Sequence, residues 1–243
     1  MRWSWAAFAG IVAATAAAPA LAQVSAGVEA TTDERRRGLG WSEGEAALSA
    51  DASAAVAGFD LSARAVTLRG SARHDGADAV FDVEAGRAFA LGPFSLRARA
   101  VGHLFAGAGA RMDYYEMGGT AGYSLGPLSV EAGATYAPDQ RAIGGDNLYL
   151  FAGASAGIPA TPLTVSAAIG RSSGHTDDPV RAARLRPAGG YHDWRVGVEH
   201  VTGPLTLALD YVGTDIDARA APSPLADARH AGDKIVGRVQ LGF

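Results

Sequence analysis

The sequence contains no cysteine, so disulfide bonds cannot contribute to its stability. It has a single lysine, Lys234, and its formal net charge is −4. This charge argues against a nucleic-acid partner, because proteins that bind nucleic acids carry clustered positive charge. Beyond residue 22 there is no apolar run of about 18 residues, which a transmembrane helix would require. The apolar residues are instead dispersed in short alternating patterns.

Residues 1–22 have the pattern of a secretory signal peptide. Arg2 provides a minimal positive start, an apolar run follows, and the small residues "ALA" stand immediately before Gln23. We expect cleavage at that point, which leaves residues 23–243 as the mature, exported chain. The alternative is an uncleaved anchor, but the run is short for a membrane span and Pro19 ends it. An exported chain without cysteine must be held by a large core or by a membrane.

Alternation of apolar and polar residues is the main structural signal of the mature chain. In "LTLALDYVGT" (205–214) the three leucines and Tyr211 fall on one face, whereas Asp210 falls on the other. Most such segments are about ten residues long, the length that a tilted strand needs to cross a bilayer. The pattern predicts strands over 24–32, 45–53, 59–69, 78–88, 94–105, 113–124, 128–137, 147–157, 163–170, 191–201, 205–214 and 234–243.

The connections between these segments alternate strictly between short and long. The short ones are rich in Gly and Pro and lie at 54–58, 90–93, 125–127, 159–162 and 202–204. The longer ones lie at 33–44, 70–77, 107–112, 137–146, 171–190 and 215–233. A Greek-key sandwich has no reason to sort its connections in this way. We therefore predict an all-β fold, a transmembrane up-and-down antiparallel barrel of about 12 strands, in the outer membrane of a Gram-negative cell.

Aromatic residues are predicted to form two belts at the membrane interfaces. One group lies toward the longer loops: Tyr114, Tyr115, Tyr136, Tyr149, Tyr191, Trp194 and Tyr211. The other lies toward the short turns: Phe59, Phe89, Phe94, Tyr123 and Phe243. Phe243 ends an alternating strand and is expected to face lipid. Such a terminal aromatic strand resembles the signal that barrel-assembly machinery reads, which makes that machinery and outer-membrane lipid expected partners.

The first long connection carries "TDERRRGLGWSEG", Thr32 to Gly44. It resembles the "SDYRFRGIS" stretch that opens members of the TorF family of porin-like proteins. Four positions match that family motif: Asp33, Arg35, Arg37 and Gly38. Glu34 stands where the family usually has Tyr, and Leu39 where it has Ile. The resemblance extends over the mature chain and implies an outer-membrane barrel with a transport role and no defined substrate.

The inward face of the barrel decides whether the chain is a pore. By parity we assign to the pore lining Arg64, Arg97, Arg99, Glu116, Glu131, Arg195, Glu199, Asp210, Arg238 and Gln240. We place further polar side chains in the lumen: Glu29, Asp51, Asp82, Glu84 and Lys234. One interpretation is a water-filled passage that filters ions and small polar solutes. The alternative is a closed barrel packed with salt bridges, since twelve strands lie between filled and open barrels.

The lumen arginines allow two interpretations as well. Arg97 and Arg99 point inward from one strand, and with Arg64 and Arg238 they could form a basic track for anionic solutes. Each could equally pair with a carboxylate on a neighbouring strand. We favour pairing, because the predicted lumen has at least as many acids as bases.

The loop at 171–190 is the longest and leaves several roles open: a constriction, a site for lipid phosphates, or a solvated surface. It also places Ser173 and His175 near acids, which would suit a lipid-cleaving enzyme, but loop geometry is not fixed. We predict a passive channel for ions or small polar solutes, without catalysis, cofactor or metal. The alternative is a non-conducting barrel that acts through its surface loops, and a lipid-modifying enzyme is a distant third.

Overall fold

The computed structural model describes residues 24–217, 219 and 223–243, and within them a closed antiparallel barrel of twelve strands. The strands are β1 Val24–Thr31, β2 Arg35–Arg36, β3 Leu39–Gly40, β4 Ala47–Val56, β5 Phe59–Ser71, β6 Ala77–Leu91, β7 Phe94–Ala106, β8 Tyr114–Leu125, β9 Leu128–Gln140, β10 Gly145–Gly157, β11 Leu163–Ser173, β12 Tyr191–Thr202, β13 Leu205–Thr214 and β14 Lys234–Gly242. All except β2 and β3 belong to the barrel, which confirms the predicted fold. The predicted signal peptide, residues 1–22, lies outside the described residues.

Each barrel strand pairs with its neighbours in sequence, and β1 closes the barrel against β14. In that seam Gly27 lies opposite Gly242 and Thr31 lies opposite Arg238. The short strands β2 and β3 pair only with each other, as a small hairpin between β1 and β4. Closure satisfies the edge hydrogen bonds of every barrel strand, as a strand in lipid requires.

Short turns gather at one end of the barrel, which we call the turn end. Gly92, Gly126 and Gly203 each have a positive φ, between 54° and 61°, and each precedes a proline in a two-residue turn. This is the arrangement of a type II′ hairpin turn, whose first central residue favours glycine. Such turns match the twist of the flanking strands, so these Gly-Pro turns fix the pairing register of the strands at this end.

The longer connections gather at the other end, the loop end, and several carry single helical turns. These are the 3₁₀ turns Ala72–His74, Arg141–Ile143, Pro224–Ala226 and Ala228–His230, and the α-helical turn α1 at Pro179–Ala182. Asp178 caps α1 by accepting hydrogen bonds from the main-chain N–H groups of Val180 and Arg181. None of the helices described has the length and apolar character needed to span a membrane.

Apolar side chains cover the outside of the barrel, and the predicted aromatic belts are confirmed only in part. Tyr115, Tyr136 and Tyr211 are exposed near the loop end, and Phe243 is exposed at the turn end. The prediction is wrong for three residues whose side chains are buried inside the barrel: Tyr114, Tyr149 and Tyr191. Neighbours in a strand face opposite sides, so Tyr114 points inward because Tyr115 points outward.

Candidate functional site

The first loop, residues 32–46, folds into the barrel instead of away from it. Its β2–β3 hairpin turns at Arg37 and Gly38, with φ values of 52° and 75°. A Cβ at position 38 would collide with the side chain of Thr214 and with the main chain of Gly213. The turn therefore needs glycine both for its backbone conformation and for its close contact with β13.

One group of buried ion pairs anchors the start of this loop. Arg64 of β5 donates to Glu34 at 2.8 Å and to Glu29 of β1 at 3.0 Å. Burial alone would raise the pKa of Glu34, but Arg64 and Arg36 hold that pKa well below its usual range. Glu34 is the residue that departs from the TorF pattern, and in this chain it supplies the charge that pairs with Arg64.

A second group of ion pairs joins the hairpin to β6, β7 and β8. Arg36 pairs with Asp82 of β6 at 2.8 Å, and Asp82 in turn contacts His103 of β7 at 2.7 Å. Arg37 donates to Glu116 of β8 at 2.7 Å, and its guanidinium lies 4.5 Å from the ring centroid of Tyr149. The two arginines of the hairpin thus bind two carboxylates on one stretch of the wall, from β6 to β8, and this fixes the tip of the hairpin against those strands.

The remaining first-loop residues that resemble the TorF stretch hold the loop in shape. Asp33 accepts a hydrogen bond from Arg35 at 2.8 Å and pairs with Lys234 at 3.3 Å. Arg35 also donates to the main-chain carbonyls of Gly38 and Gly232. All four motif positions therefore lie in or against the inserted hairpin.

The other lumen arginines are paired as well. Arg97 lies 3.0 Å from Glu84 and 3.6 Å from Asp60, and Arg99 lies 3.2 Å from Glu84. Arg195 and Arg238 share Asp210, at 2.7 and 3.0 Å. The structure thus shows pairing of these arginines with carboxylates, and no continuous basic track is present along the described lumen.

A packed cap closes the loop end above the hairpin. Arg184, in the long loop between β11 and β12, is fully buried and donates to His74 and to the main-chain carbonyls of Met112 and Ala142. The ring of His74 lies 4.2 Å from that of Trp41 and 4.6 Å from that of Phe105. Burial lowers the pKa of Arg184 to about 10, so it remains charged at neutral pH.

The long loop therefore covers the mouth of the barrel with part of its length. Leu185 and Arg186 are buried beside Arg184, whereas His175 is exposed and pairs with Asp177 at 3.2 Å. Sequence reasoning missed the cap residues Trp41 and His74, as well as Arg73, which donates to the main-chain carbonyl of Arg184. It considered Arg184 only as one residue of the 171–190 loop. The available signal for the cap was the density of arginine in "RAARLR" (181–186), because arginine is the cation best suited to buried pairs.

Below the hairpin lies a cavity of about 140 Å³. Its walls come from the first loop and from the facing strands, and they include Arg36, Arg37, Glu131, Arg195 and Asp210. Charges of both signs surround it, together with the rings of Tyr149 and Phe151.

The structure gives positions for all the residues assigned to the lumen from sequence. Arg64, Glu116 and Asp210 are buried in it. The others lie on the inner face, partly accessible, at positions that alternate with exposed apolar residues: Arg97, Arg99, Glu131, Arg195, Glu199, Arg238 and Gln240. Whether these side chains line a path of conduction stays a prediction.

Comparison with known proteins places the chain in a family. The chain belongs to Gcw_chp, a family of bacterial proteins of unknown function, whose sequence model matches residues 13–243. No curated protein matches its sequence.

Among solved structures, the barrel is similar to a KdgM porin, with a TM-score of 0.58 and 10% identity over 90% of this chain and 98% of that one. It also resembles LpxR from Salmonella typhimurium, with a TM-score of 0.46 and 11% identity over 90% of this chain and 99% of that one. The likeness to OprD of Pseudomonas aeruginosa has a TM-score of 0.44 and 14% identity, over 82% of this chain and 60% of that one. At 10% identity the likeness to the KdgM porin shows a shared barrel fold and nothing further.

Proposed function

We propose that this chain is a porin-like channel of the outer membrane that passes ions or small polar solutes through a constriction formed by its first loop. The supporting observation is the cavity of about 140 Å³ beneath the hairpin, bounded by ionised side chains of both signs. Charged groups that line a narrow passage set the barrier for each permeating ion. The resemblance to TorF porin-like proteins and the porin-type fold point in the same direction.

In this proposal the turn end faces the periplasm and the loop end faces the outside. The exposed apolar strand faces then contact outer-membrane lipid. Phe243 is 78% exposed at the turn end, where barrel-assembly machinery would read it as a terminal signal. Solutes entering from the periplasm would pass small side chains such as Ser62 and Ser155 before they reach the hairpin.

A non-conducting barrel is the second candidate, and a specific observation favours it. The loop-end half of the lumen contains the hairpin, its buried ion pairs and the aromatic cap around Trp41 and His74. If the hairpin and the cap never move out of the lumen, no solute passes, and the barrel serves as a rigid support for its outer loops.

Single-channel recording in planar bilayers separates the two candidates. The folded protein should give discrete current steps with a defined reversal potential in a salt gradient. The double variant Arg36→Ala, Arg37→Ala should give larger steps, because two long side chains leave the constriction. Arg111→Ala, whose side chain is 88% exposed, is the matched control and should conduct like the wild type. Silence from protein that still migrates as a folded, heat-modifiable barrel would exclude the channel and support the rigid barrel.

A further inference from the structure

Three side chains that could hold a metal ion meet at the rim of the loop end. They are Glu43 of the first loop, and Asp227 and His230 of the last loop, and one ligand atom from each lies within 4.8 Å of the others. Gly40 and Gly44 pack against His230 so closely that a Cβ at either position would collide with it. The imidazole is therefore held against the first loop and beside both carboxylates.

The spacing of the donor atoms suits zinc. His230 Nδ1 and Asp227 Oδ1 share a hydrogen bond of 2.8 Å, which a bound ion would replace, and Nδ1 lies 3.9 Å from Glu43 Oε2. Tetrahedral zinc with bonds of about 2.0–2.1 Å separates its donor atoms by roughly 3.3 Å, between these two values. One imidazole and two carboxylates with a water molecule make up a four-coordinate set that zinc accepts, whereas calcium prefers six or more oxygens.

The Asp227 carboxylate provides an independent observation. Asp227 is 7% exposed, and among the described residues its Oδ2 has no hydrogen-bond partner although it is buried. A buried, unpartnered carboxylate oxygen is costly unless a ligand or water satisfies it. The nearby cation Arg73 does not serve, because it donates to the main-chain carbonyl of Asp227.

The other neighbours also leave the site available. Glu43 accepts the main-chain N–H of Ala72 through Oε1, so its Oε2 stays directed to His230. Lys234 is engaged by the carbonyl of Gly44 and by Asp33. Two carboxylates therefore face the imidazole, and no arginine or lysine of the described residues bonds to Asp227 Oδ2 or Glu43 Oε2.

We propose that Glu43, Asp227 and His230 form a zinc site that ties the first loop to the last loop at the rim of the barrel. These loops adjoin the two strands that close the barrel, β1 and β14, so a bound ion would bridge the closing seam and hold the inserted hairpin in place. This role is independent of whether the barrel conducts.

Isothermal titration of the chelator-treated, folded protein with Zn²⁺ tests the site. The wild type should bind one zinc per chain, and His230→Gln should bind it at least about tenfold more weakly, as the loss of a ligand requires. Glu43→Gln is a second variant that keeps the hydrogen bond to Ala72, and it should weaken zinc binding to a similar extent. Heat-modifiable migration shows that each variant is folded.

The matched control is His192→Gln. His192 lies 2.8 Å from Asp215, an imidazole–carboxylate pair on the same end of the barrel that has no third ligand in the described structure. It should bind zinc like the wild type. Absence of stoichiometric binding, equal losses in His192→Gln and His230→Gln, or tighter binding of Ca²⁺ than of Zn²⁺ would each overturn the proposal.

Discussion

The two halves of the lumen are built from the same strands but are filled differently. On β11, Ser172 near the loop end is 0% exposed, whereas Ser166, six residues away on the same inner face, is accessible. On β7, His103 is buried between Asp82 and Glu116, whereas the side chain of Arg97 is 39% exposed. The interior of twelve strands is wider than their own side chains can fill. The difference therefore comes from the loops: the first loop enters the loop-end half only, and the long loop packs over it through Arg184.

The largest expected difference in stability between the two halves comes from removing one partner of a buried ion pair. Arg64→Ala leaves Glu34 and Glu29 buried without their shared cation, and we expect a loss of about 3–5 kcal/mol in the free energy of unfolding. Arg97→Ala is the matched change in the turn-end half of the lumen, which we call the open half because the first loop does not enter it. It should lower the free energy of unfolding by less than about 1 kcal/mol, since solvent screens that ion pair. Urea unfolding in lipid vesicles measures both, and equal losses would contradict the division into halves.

The cap should depend on Arg184 to a smaller extent. Arg184→Ala removes a donor from three buried acceptors, and we expect a loss of roughly 2–3 kcal/mol in the local stability of the cap. Amide hydrogen exchange of Leu185 and Ile143 reports it. The exposed Arg111→Ala should leave their exchange unchanged. A cap that exchanges equally slowly in both variants would show that Arg184 does not hold it.

Acid should also loosen the cap. Burial lowers the pKa of His74 well below its usual value, and Arg184, Arg73 and Arg36 lower it further. The unfolded state therefore binds a proton first as pH falls, so the stabilisation is complete above about pH 6.5 and declines below it, by at most about 1.4 kcal/mol per pH unit.

Hydrogen exchange at pH 7.5 and 5.5, corrected for intrinsic rates, measures this decline. His74→Gln cannot take up the proton and should lose the difference between the two pH values. Both pH values lie above the range in which Glu34 takes up a proton, because the pKa of Glu34 is held low. Glu34 therefore does not contribute to the difference. An identical pH response in both proteins would assign the decline to another group.

Substitutions in the open half should change the free energy of unfolding least, but they should change the ion selectivity. Arg97→Glu reverses a charge on the accessible wall and should shift the reversal potential toward cation selectivity. Arg111→Glu makes the same change of charge on the exposed part of a loop and should not. An unchanged potential in Arg97→Glu would show that this side chain lies outside the conduction path.

The sequence predicts those features that depend on neighbouring residues, and it does not predict those that depend on contacts between distant residues. Alternation is local, so the strands were predicted closely; β11, for example, was predicted over 163–170 and extends to Ser173. The path of the first loop is not local, because Glu34 binds Arg64 30 positions away and Arg37 binds Glu116 79 positions away. Odd and even positions separate the two faces of a strand. Closeness to a loop end does not tell the inner face from the outer face, and for this reason the prediction for Tyr149 and Tyr191 is wrong.

Thiol accessibility tests the division of the lumen most directly, because the chain has no cysteine and a single introduced one is a unique reporter. Ser166→Cys and Ser172→Cys place that reporter on one face of β11, on either side of the hairpin's edge. In the folded protein a small charged thiosulfonate should modify the cysteine at 166 at least about a hundredfold faster than the one at 172, since only the first is reached by solvent. Equal rates at the two positions would contradict the account, because they would show that the first loop leaves the loop-end half of the lumen open.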